Sequence, residues 1–310
     1  RCMISFSDMK RQRIIVVLGK TATGKSDLAV RLAKKFGGEV ISADSRQVYR
    51  GLNLGTGKIT KREMCGIPHH LLDVADPKKQ FSVAEYKKLA EKAISEIISR
   101  GKLPIICGGT GLYIDSVTNG TIFPEVPPNP KLRKQLGNKT IKQLFEILKK
   151  LDPRRAKTID ADNPRRLIRA IEIARVLGKS PNLEVELPSW EILKIGLDLQ
   201  SEILRKKIHR RLLSRINKGM IAEVRNLNKN GLSWKRLEAL GLEYRYLAYF
   251  LQKKITKNET LKKLETEIWR YSKRQGTWFK QDKEIKWFEP SGYGKIEKET
   301  EKFLKTKRAR

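Results

Sequence analysis

Cysteine is scarce in this 310-residue chain: Cys2, Cys65 and Cys107 are its only three. They support no disulfide framework and point to a reducing compartment, the cytoplasm by default. Histidine is as rare, at His69, His70 and His209. His69-His70 follows Cys65 closely, but no second Cys-x-x-Cys or spaced histidine pair accompanies it, so a structural pair is expected rather than a metal site. No apolar run approaches the ~20 residues that cross a bilayer, and the first residues lack the apolar core of a secretion signal, so no membrane partner is expected. There is no internal repeat. The last shortage is of acid: 34 Asp and Glu face 67 Lys and Arg, a formal net charge of +33. That balance points to a polyanionic partner, nucleic acid above all. The excess is denser outside the N-terminal part: residues 201–282 hold 21 basic and 8 acidic side chains, and residues 125–190 hold 15 and 8.

What is present is organised around residues 14–26. Five apolar residues, Ile14 to Leu18, run into Gly19-x-x-x-x-Gly24-Lys25-Ser26, followed by a helical pattern over 25–36 with Leu28, Leu32 and Phe36 on one face. Strand, glycine loop and helix together are the context that a phosphate-binding loop needs. Its backbone N–H groups cradle phosphate oxygens, the helix dipole faces the anion, Lys25 neutralises charge and the Ser26 hydroxyl can hold Mg²⁺. Glu39–Ser42 reads as a second buried strand ending at Asp44-Ser45-Arg46-Gln47. A carboxylate at the C-terminal end of a parallel strand either faces ligand or caps a turn; the shared sheet edge with the phosphate loop favours ligand.

Residues 51–80 are loop-like. Ser82-Val-Ala-Glu85 is a capping box opening a helix to about Arg100. Leu103–Cys107 is a third strand, leading to Gly108-Gly109-Thr110-Gly111, where Thr110 either offers a hydroxyl to the site or belongs to a plain turn. That strand carries no acidic residue at its end, which argues against ATP hydrolysis, since such enzymes place a metal-holding carboxylate there. Four prolines within 120–130 mark a boundary. Helices follow over 131–180, with Arg165, Arg166 and Arg169 on one side of one of them. Residues 192–199 return to strand, then come helical patterns over 201–219, 221–230, 242–252 and 259–281, and a short strand at 285–288. The reading is an α/β fold: a P-loop NTPase-like parallel sheet core (13–120 and 190–290, with basic C-terminal helices), a helical insertion (121–189) and a charged tail (291–310). Such a core fits a kinase or a group transferase whose leaving group is phosphate.

The successive segments Gly19–Ser26, Asp44–Tyr49, Pro68–Asp73, Gly108–Tyr113, Asn163–Leu167 and Tyr271–Gln275 with Thr277-Trp278-Phe279 resemble, in order, the signatures of the tRNA dimethylallyltransferase family. Absence of the zinc finger of its eukaryotic relatives suggests the bacterial type. The resemblance implies transfer of a dimethylallyl group from dimethylallyl diphosphate to the exocyclic amine of the adenosine 3′-adjacent to the anticodon, with Mg²⁺, by a monomer. It implies diphosphate binding by Gly19, Thr21, Ala22, Thr23, Gly24, Lys25 and Ser26, with Ser26 on the metal. Catalytic roles fall to Asp44, Thr110 and Arg211. tRNA contacts are expected from Asp44, Ser45, Arg46, Gln47, Arg165, Arg166, Leu167, Ile168, Arg169, Arg274 and Gln275. Three departures from the family pattern stand out: Lys20 where proline is usual, Thr23 where serine is frequent, and Leu242-Glu243 within the usual Gly-Tyr. Lys20 adds a charge to the loop and is expected to alter donor affinity. The rival readings are a small-molecule or nucleotide kinase with the insertion as its lid, and a non-catalytic RNA-binding protein.

Overall fold

A computed structural model describes residues 12–179 and 190–306. Residues 180–189 of the expected insertion and 307–310 of the expected tail lie outside the described residues. Two compact units result: Asn119–Leu187 is one, and Arg1–Thr118 with Pro188–Arg310 is the other.

The larger unit is built on a six-stranded sheet of β1 (Gln12–Gly19), β2 (Gly38–Ala43), β3 (His69–His70), β4 (Leu103–Gly108), β5 (Trp190–Leu197) and β6 (Lys286–Phe288), in the order β3-β2-β4-β1-β5-β6. Every pairing is parallel. The apolar run Ile14–Leu18 makes β1 the natural centre, because a strand without polar residues must be covered on both faces. Alternation then divides it. Ile14, Val16 and Leu18 join one core cluster, and Ile15 and Val17 join the other. From β1 the chain moves out to β2 and β3, returns to β4, and later adds β5 and β6 on the opposite side. The order therefore reverses around β1, where open α/β sheets bind ligands at their C-terminal edge.

Helix α1 (Lys25–Phe36) covers the second face with Leu28 and Leu32 and stops at Gly37 in the left-handed region. The segment 51–80 is not all loop: it holds the turn of helix α2 (Lys61–Met64) and the edge strand β3. There His70 Nε2 lies 2.7 Å from Glu39 Oε2, and Arg100 donates to the same carboxylate. Burial works to raise Glu39, but the hydrogen bonds from Arg100 and His70 hold it below the usual carboxylate range. Helix α3 (Val83–Ser99) opens on the Ser82–Glu85 capping box. A helix the glycines of 108–111 conceal, α4 (Gly111–Thr118), follows β4.

The smaller unit holds α5 (Pro130–Gly137), α6 (Ile141–Leu151), α7 (Pro153–Thr158) and α8 (Pro164–Leu177), packed around Leu136, Leu144, Leu148, Leu167 and Ile171. Buried Glu172 on α8 accepts two bonds of 2.7 Å from Arg133 and one of 2.9 Å from the Asn129 amide.

The C-terminal helices of the larger unit are α9 (Ser201–Asn217), α10 (Met220–Lys229), α11 (Trp234–Ala239), α12 (Leu242–Leu251), α13 (Lys257–Phe279) and α14 (Tyr293–Lys305). The expected charged tail is largely α14. Ile296 is fully buried on the second face of the sheet, with Tyr293 and Phe303 packed beside it, while Glu297 and Glu301 pair with Lys35. The high charge of 291–310 belongs to one side of an amphipathic helix.

Helices α9, α10 and α12 clamp the glycine-rich segment 52–57. Glu223 accepts the N–H groups of Asn53, Leu54 and Gly55 and the Tyr244 hydroxyl. Arg215 donates to the Leu54 and Gly55 carbonyls and to Glu243. A side chain on Gly55 would meet the Tyr244 ring at 2.4 Å. Glu223→Ala strips four donors of their acceptor at once. It is expected to cost about 2–4 kcal/mol, read as a lower urea midpoint with an unchanged slope.

Candidate active site

The site begins where β1 ends. Gly19 has φ 138° and its absent Cβ would lie 2.4 Å from the Leu197 carbonyl, so no other residue fits between loop and β5. Gly24, at φ 94°, starts α1, and no side chain caps the helix there. The first N–H groups of α1 therefore face outward unpaired by the helix, as an anion cradle requires. Inside the loop, Lys25 Nζ donates to the Lys20 carbonyl at 2.6 Å and Thr23 Oγ1 to the same oxygen at 2.9 Å. Ala22 adopts φ 62° within the wrap. Ser26 is exposed in the first turn of α1.

Lys25 keeps some surface, yet its ammonium is closely ringed by protein. Desolvation lowers it to about 8, opposed by Cys107 and Asp44 and reinforced by Arg211. The sign has a consequence. Below about pH 8 the ammonium is charged and ready for an anion. Above it the free protein has lost that proton, and anion binding must take one up. Affinity for inorganic diphosphate is expected to fall as pH rises past about 8, with net proton uptake on binding. Calorimetry in two buffers of different ionisation enthalpy measures that uptake; pH-independent binding without it removes Lys25 from the anion contact.

Three side chains converge on the loop. Arg211, from α9, donates to Thr21 Oγ1 at 3.4 Å and to the Gly57 carbonyl at 3.2 Å. Burial, then neighbouring Arg215, lowers its pKa, and Glu243, Asp44 and Glu63 oppose the shift. Gln275, from α13, accepts the Thr21 N–H and donates to the Gly109 carbonyl, each at 2.8 Å. Asp44 acts electrostatically on both Lys25 and Arg211.

Of the two roles the sequence left open for Asp44, the structure shows the cap. Its Oδ1 caps the turn, accepting from the N–H groups of Arg46 at 2.8 Å and Gln47 at 3.3 Å. Its Oδ2 accepts no hydrogen bond from the described residues, and that lone-pair side is free for a ligand. Thr110 Oγ1 accepts the Ser45 N–H at 3.0 Å, and the Thr110 N–H reaches the Ala43 carbonyl at 3.1 Å. Thr110 therefore fixes the turn that carries Asp44.

The described residues contain no cluster of three or more His, Cys, Asp or Glu able to hold a metal by themselves. An oxygen donor set of one exposed hydroxyl, Ser26, fits Mg²⁺, which keeps most of its waters and takes its remaining ligands from phosphate.

With this geometry in place, the sequence model described as IPP transferase matches residues 47–282. The tRNA dimethylallyltransferase 2 of Treponema denticola is 45% identical over 89% of this chain and 94% of its own length. The tRNA dimethylallyltransferase of Anoxybacillus flavithermus is 40% identical over 90% of each. Among solved structures, the tRNA isopentenylpyrophosphate transferase of Bacillus halodurans superposes with a TM-score of 0.70 at 35% identity, covering 95% of this chain and 96% of that one. A eukaryotic dimethylallyltransferase acting on tRNA superposes with a TM-score of 0.82 at 25% identity, over 96% of this chain and 82% of that one. The chain belongs to the IPP transferase family.

Against that family pattern, the three departures acquire physical content. Lys20 does not add a free charge to the phosphate loop: its ammonium pairs with Asp198 at 2.7 Å, at the end of β5. Thr23 is fully buried and closes the loop through its hydroxyl. Glu243 is tied to Arg215 at 3.0 Å.

The residues expected to meet tRNA divide. Ser45 is held to Thr110, and the Gln47 amide reaches the Gly57 carbonyl, whereas Arg46 is exposed. On α8, Arg165 is exposed, and Arg166 is exposed while paired to Asp160 at 3.2 Å. Leu167 is fully buried in the core of the smaller unit and Ile168 packs against that core. Arg169 is spent on Glu172 and the Val126 carbonyl. Residues 167–169 thus hold α8 in place, and 165–166 face out. On α13, Arg274 is exposed, whereas Gln275 is buried with its amide bonded to Thr21 and Gly109.

Sequence reading missed Tyr271. It is 36% exposed, one turn before Arg274 on α13, and burial followed by the charge of Asp44 raises its hydroxyl above the ordinary tyrosine range. An aromatic ring partly open to solvent suits a nucleobase. The signal was present in the three-residue spacing of Tyr271 and Arg274, which puts both on one helix face.

Proposed function

We propose that the chain transfers a dimethylallyl group from dimethylallyl diphosphate to the exocyclic N6 amine of the adenosine 3′-adjacent to the anticodon of tRNA, releasing diphosphate. One observation carries this reading: Asp44, a carboxylate with one oxygen free of hydrogen bonds among the described residues, acts electrostatically on Lys25 of the phosphate-binding loop and on Arg211 of α9. A kinase would need those cations on a transferring phosphoryl group and a metal-holding carboxylate at the end of β4, where Gly108-Gly109-Thr110-Gly111 stands. The family membership favours prenyl transfer as well.

The geometry supports a simple mechanism. Lys25, Arg211 and the N–H groups opening α1 hold the donor's diphosphate and stabilise its charge as the carbon–oxygen bond breaks. The Ser26 hydroxyl would hold Mg²⁺, which adds positive charge at the departing oxygens. The adenine amine is a weak nucleophile, because its lone pair is delocalised into the ring. Asp44 Oδ2 orients its N–H, and as the new nitrogen–carbon bond forms it takes the proton the nitrogen gives up. The base must leave its stack to enter, and the Tyr271 ring offers a stacking surface for it. Arg46, Arg165, Arg166 and Arg274 are the exposed cations for the tRNA backbone. A monomer in the cytoplasm completes the reading. Among the described residues no helix is long and apolar enough to cross a membrane.

The deciding test is nucleoside mass spectrometry of unmodified tRNA incubated with the protein, Mg²⁺ and dimethylallyl diphosphate. Dimethylallyl-adenosine is the expected product. Phosphoryl transfer from ATP without prenylation decides for the kinase, and salt-sensitive tRNA binding with no modified base decides for a binding protein.

A further inference from the structure

We propose that Gln275 is a positioning residue for the donor's diphosphate, a role that rests on the transferase reading above. It lies on α13 and is 6% exposed. Its amide is a rigid plane with an acceptor on one side and donors on the other. The Thr21 N–H can only donate and the Gly109 carbonyl can only accept, so its neighbours fix which way the amide points. Gly109 leaves the amide its place: a Cβ there would sit 2.3 Å from Gln275 Nε2.

The peptide this amide holds is the one between Lys20 and Thr21. Its N–H goes to Gln275. Its carbonyl faces inward and takes both Lys25 Nζ and Thr23 Oγ1. Were that peptide to turn over, the carbonyl that receives the Lys25 ammonium would swing toward the anion, and a repelling oxygen would replace an ordered lysine. Gln275 holds the peptide in the one orientation that keeps Lys25 lodged beside the cradle. Its neighbours on α13 brace the same region. Gly276 leaves room for the Lys20 stem, whose Cε would be 2.8 Å from a Cβ there, and the Trp278 indole donates to Asp115 at 2.8 Å across Gly111. The phosphate loop after β1 and the glycine loop after β4 are thus joined through one buried side chain of a distant helix. Gln275 touches neither substrate; it acts through Thr21 and the loop.

The test compares Gln275→Leu and Gln275→Glu with the wild type, using inorganic diphosphate for binding, dimethylallyl diphosphate for kinetics and unmodified tRNA for RNA affinity. Gln275→Leu loses both bonds and is expected to raise the diphosphate Kd and the donor KM about 10-fold or more, with the tRNA Kd within about twofold of wild type. Gln275→Glu keeps an acceptor for the Thr21 N–H but sets a carboxylate against the Gly109 carbonyl, and is expected to show a smaller loss of the same kind. A residue that only stabilised the fold would lower the active fraction and leave KM and Kd alone. Unchanged diphosphate binding in both variants, or a loss confined to tRNA, overturns the proposal. Where Gln275→Leu fails to fold, Gly109→Ala displaces the same amide, and normal diphosphate binding by it overturns the proposal equally. Wild-type protein that binds diphosphate, with the variants weakened, yet leaves tRNA unprenylated supports the role of Gln275 and overturns the transferase reading alone.

Discussion

Asp44→Asn is expected to lower prenyl turnover by about 10²-fold or more while tRNA affinity stays near wild type. The substitution is selective because of how Asp44 is bonded. Its Oδ1 caps the N–H groups of Arg46 and Gln47, and an asparagine Oδ1 can accept the same bonds. The turn therefore survives. What disappears is the negative oxygen on the other side, the atom that orients the amine and removes its proton. The charge beside Lys25 and Arg211 is lost as well, so diphosphate affinity is expected to hold steady or tighten. Single-turnover rates measured with saturating tRNA and donor isolate the chemical step. Near-normal turnover removes Asp44 from the mechanism.

Arg211→Ala is expected to lower kcat/KM for the donor by about 10²-fold, with a smaller effect on tRNA affinity. Arg211 is half-buried between the phosphate loop and the 52–57 segment, and its guanidinium is partly desolvated, so its charge is less screened than at an open surface. Truncation leaves the Gly57 carbonyl and Thr21 hydroxyl without that donor. Arg211→Lys keeps the charge but not the fork that spans Thr21 and Gly57, and is expected to recover only part of the loss. Donor kinetics unchanged in Arg211→Ala refute the assignment.

Helix α9 explains why these effects separate. Arg211 and Arg215 lie four residues apart on one face, the first turned to the phosphate loop and the second to the Leu54 and Gly55 carbonyls. From spacing alone, Arg210 and Arg211 look equivalent beside the buried face of α9 formed by Leu204, Ile208 and Leu212. Only packing distinguishes the residue that meets the loop.

The central strand was legible because an unbroken apolar run has one stable home, inside a sheet covered on both faces. The phosphate loop was legible because Gly19 and Gly24 sit where the wrap demands φ values that side chains resist. Capping boxes at Ser82 and Thr140 declare helix starts in local chemistry alone. Helix α14 was less legible: its charges dominate the composition, while Ile296, the residue that anchors it, is one apolar position among many lysines and glutamates. Leu167, Ile168 and Gln275 look like members of an RNA-binding motif until burial shows what they touch.

By itself the sequence determined five of the six described strands, β3 excepted, with the phosphate cradle and the carboxylate at the end of β2, because each is written in contiguous residues through conformational and hydrophobic preference. Only the tertiary structure decided which polar side chains serve the site and which serve the scaffold. Lys20 is neutralised by Asp198 and Gln275 is consumed by Thr21 and Gly109, partners 178, 254 and 166 residues away in sequence. No local pattern records a hydrogen bond between residues so distant; the packing of α13 against the strand ends makes it.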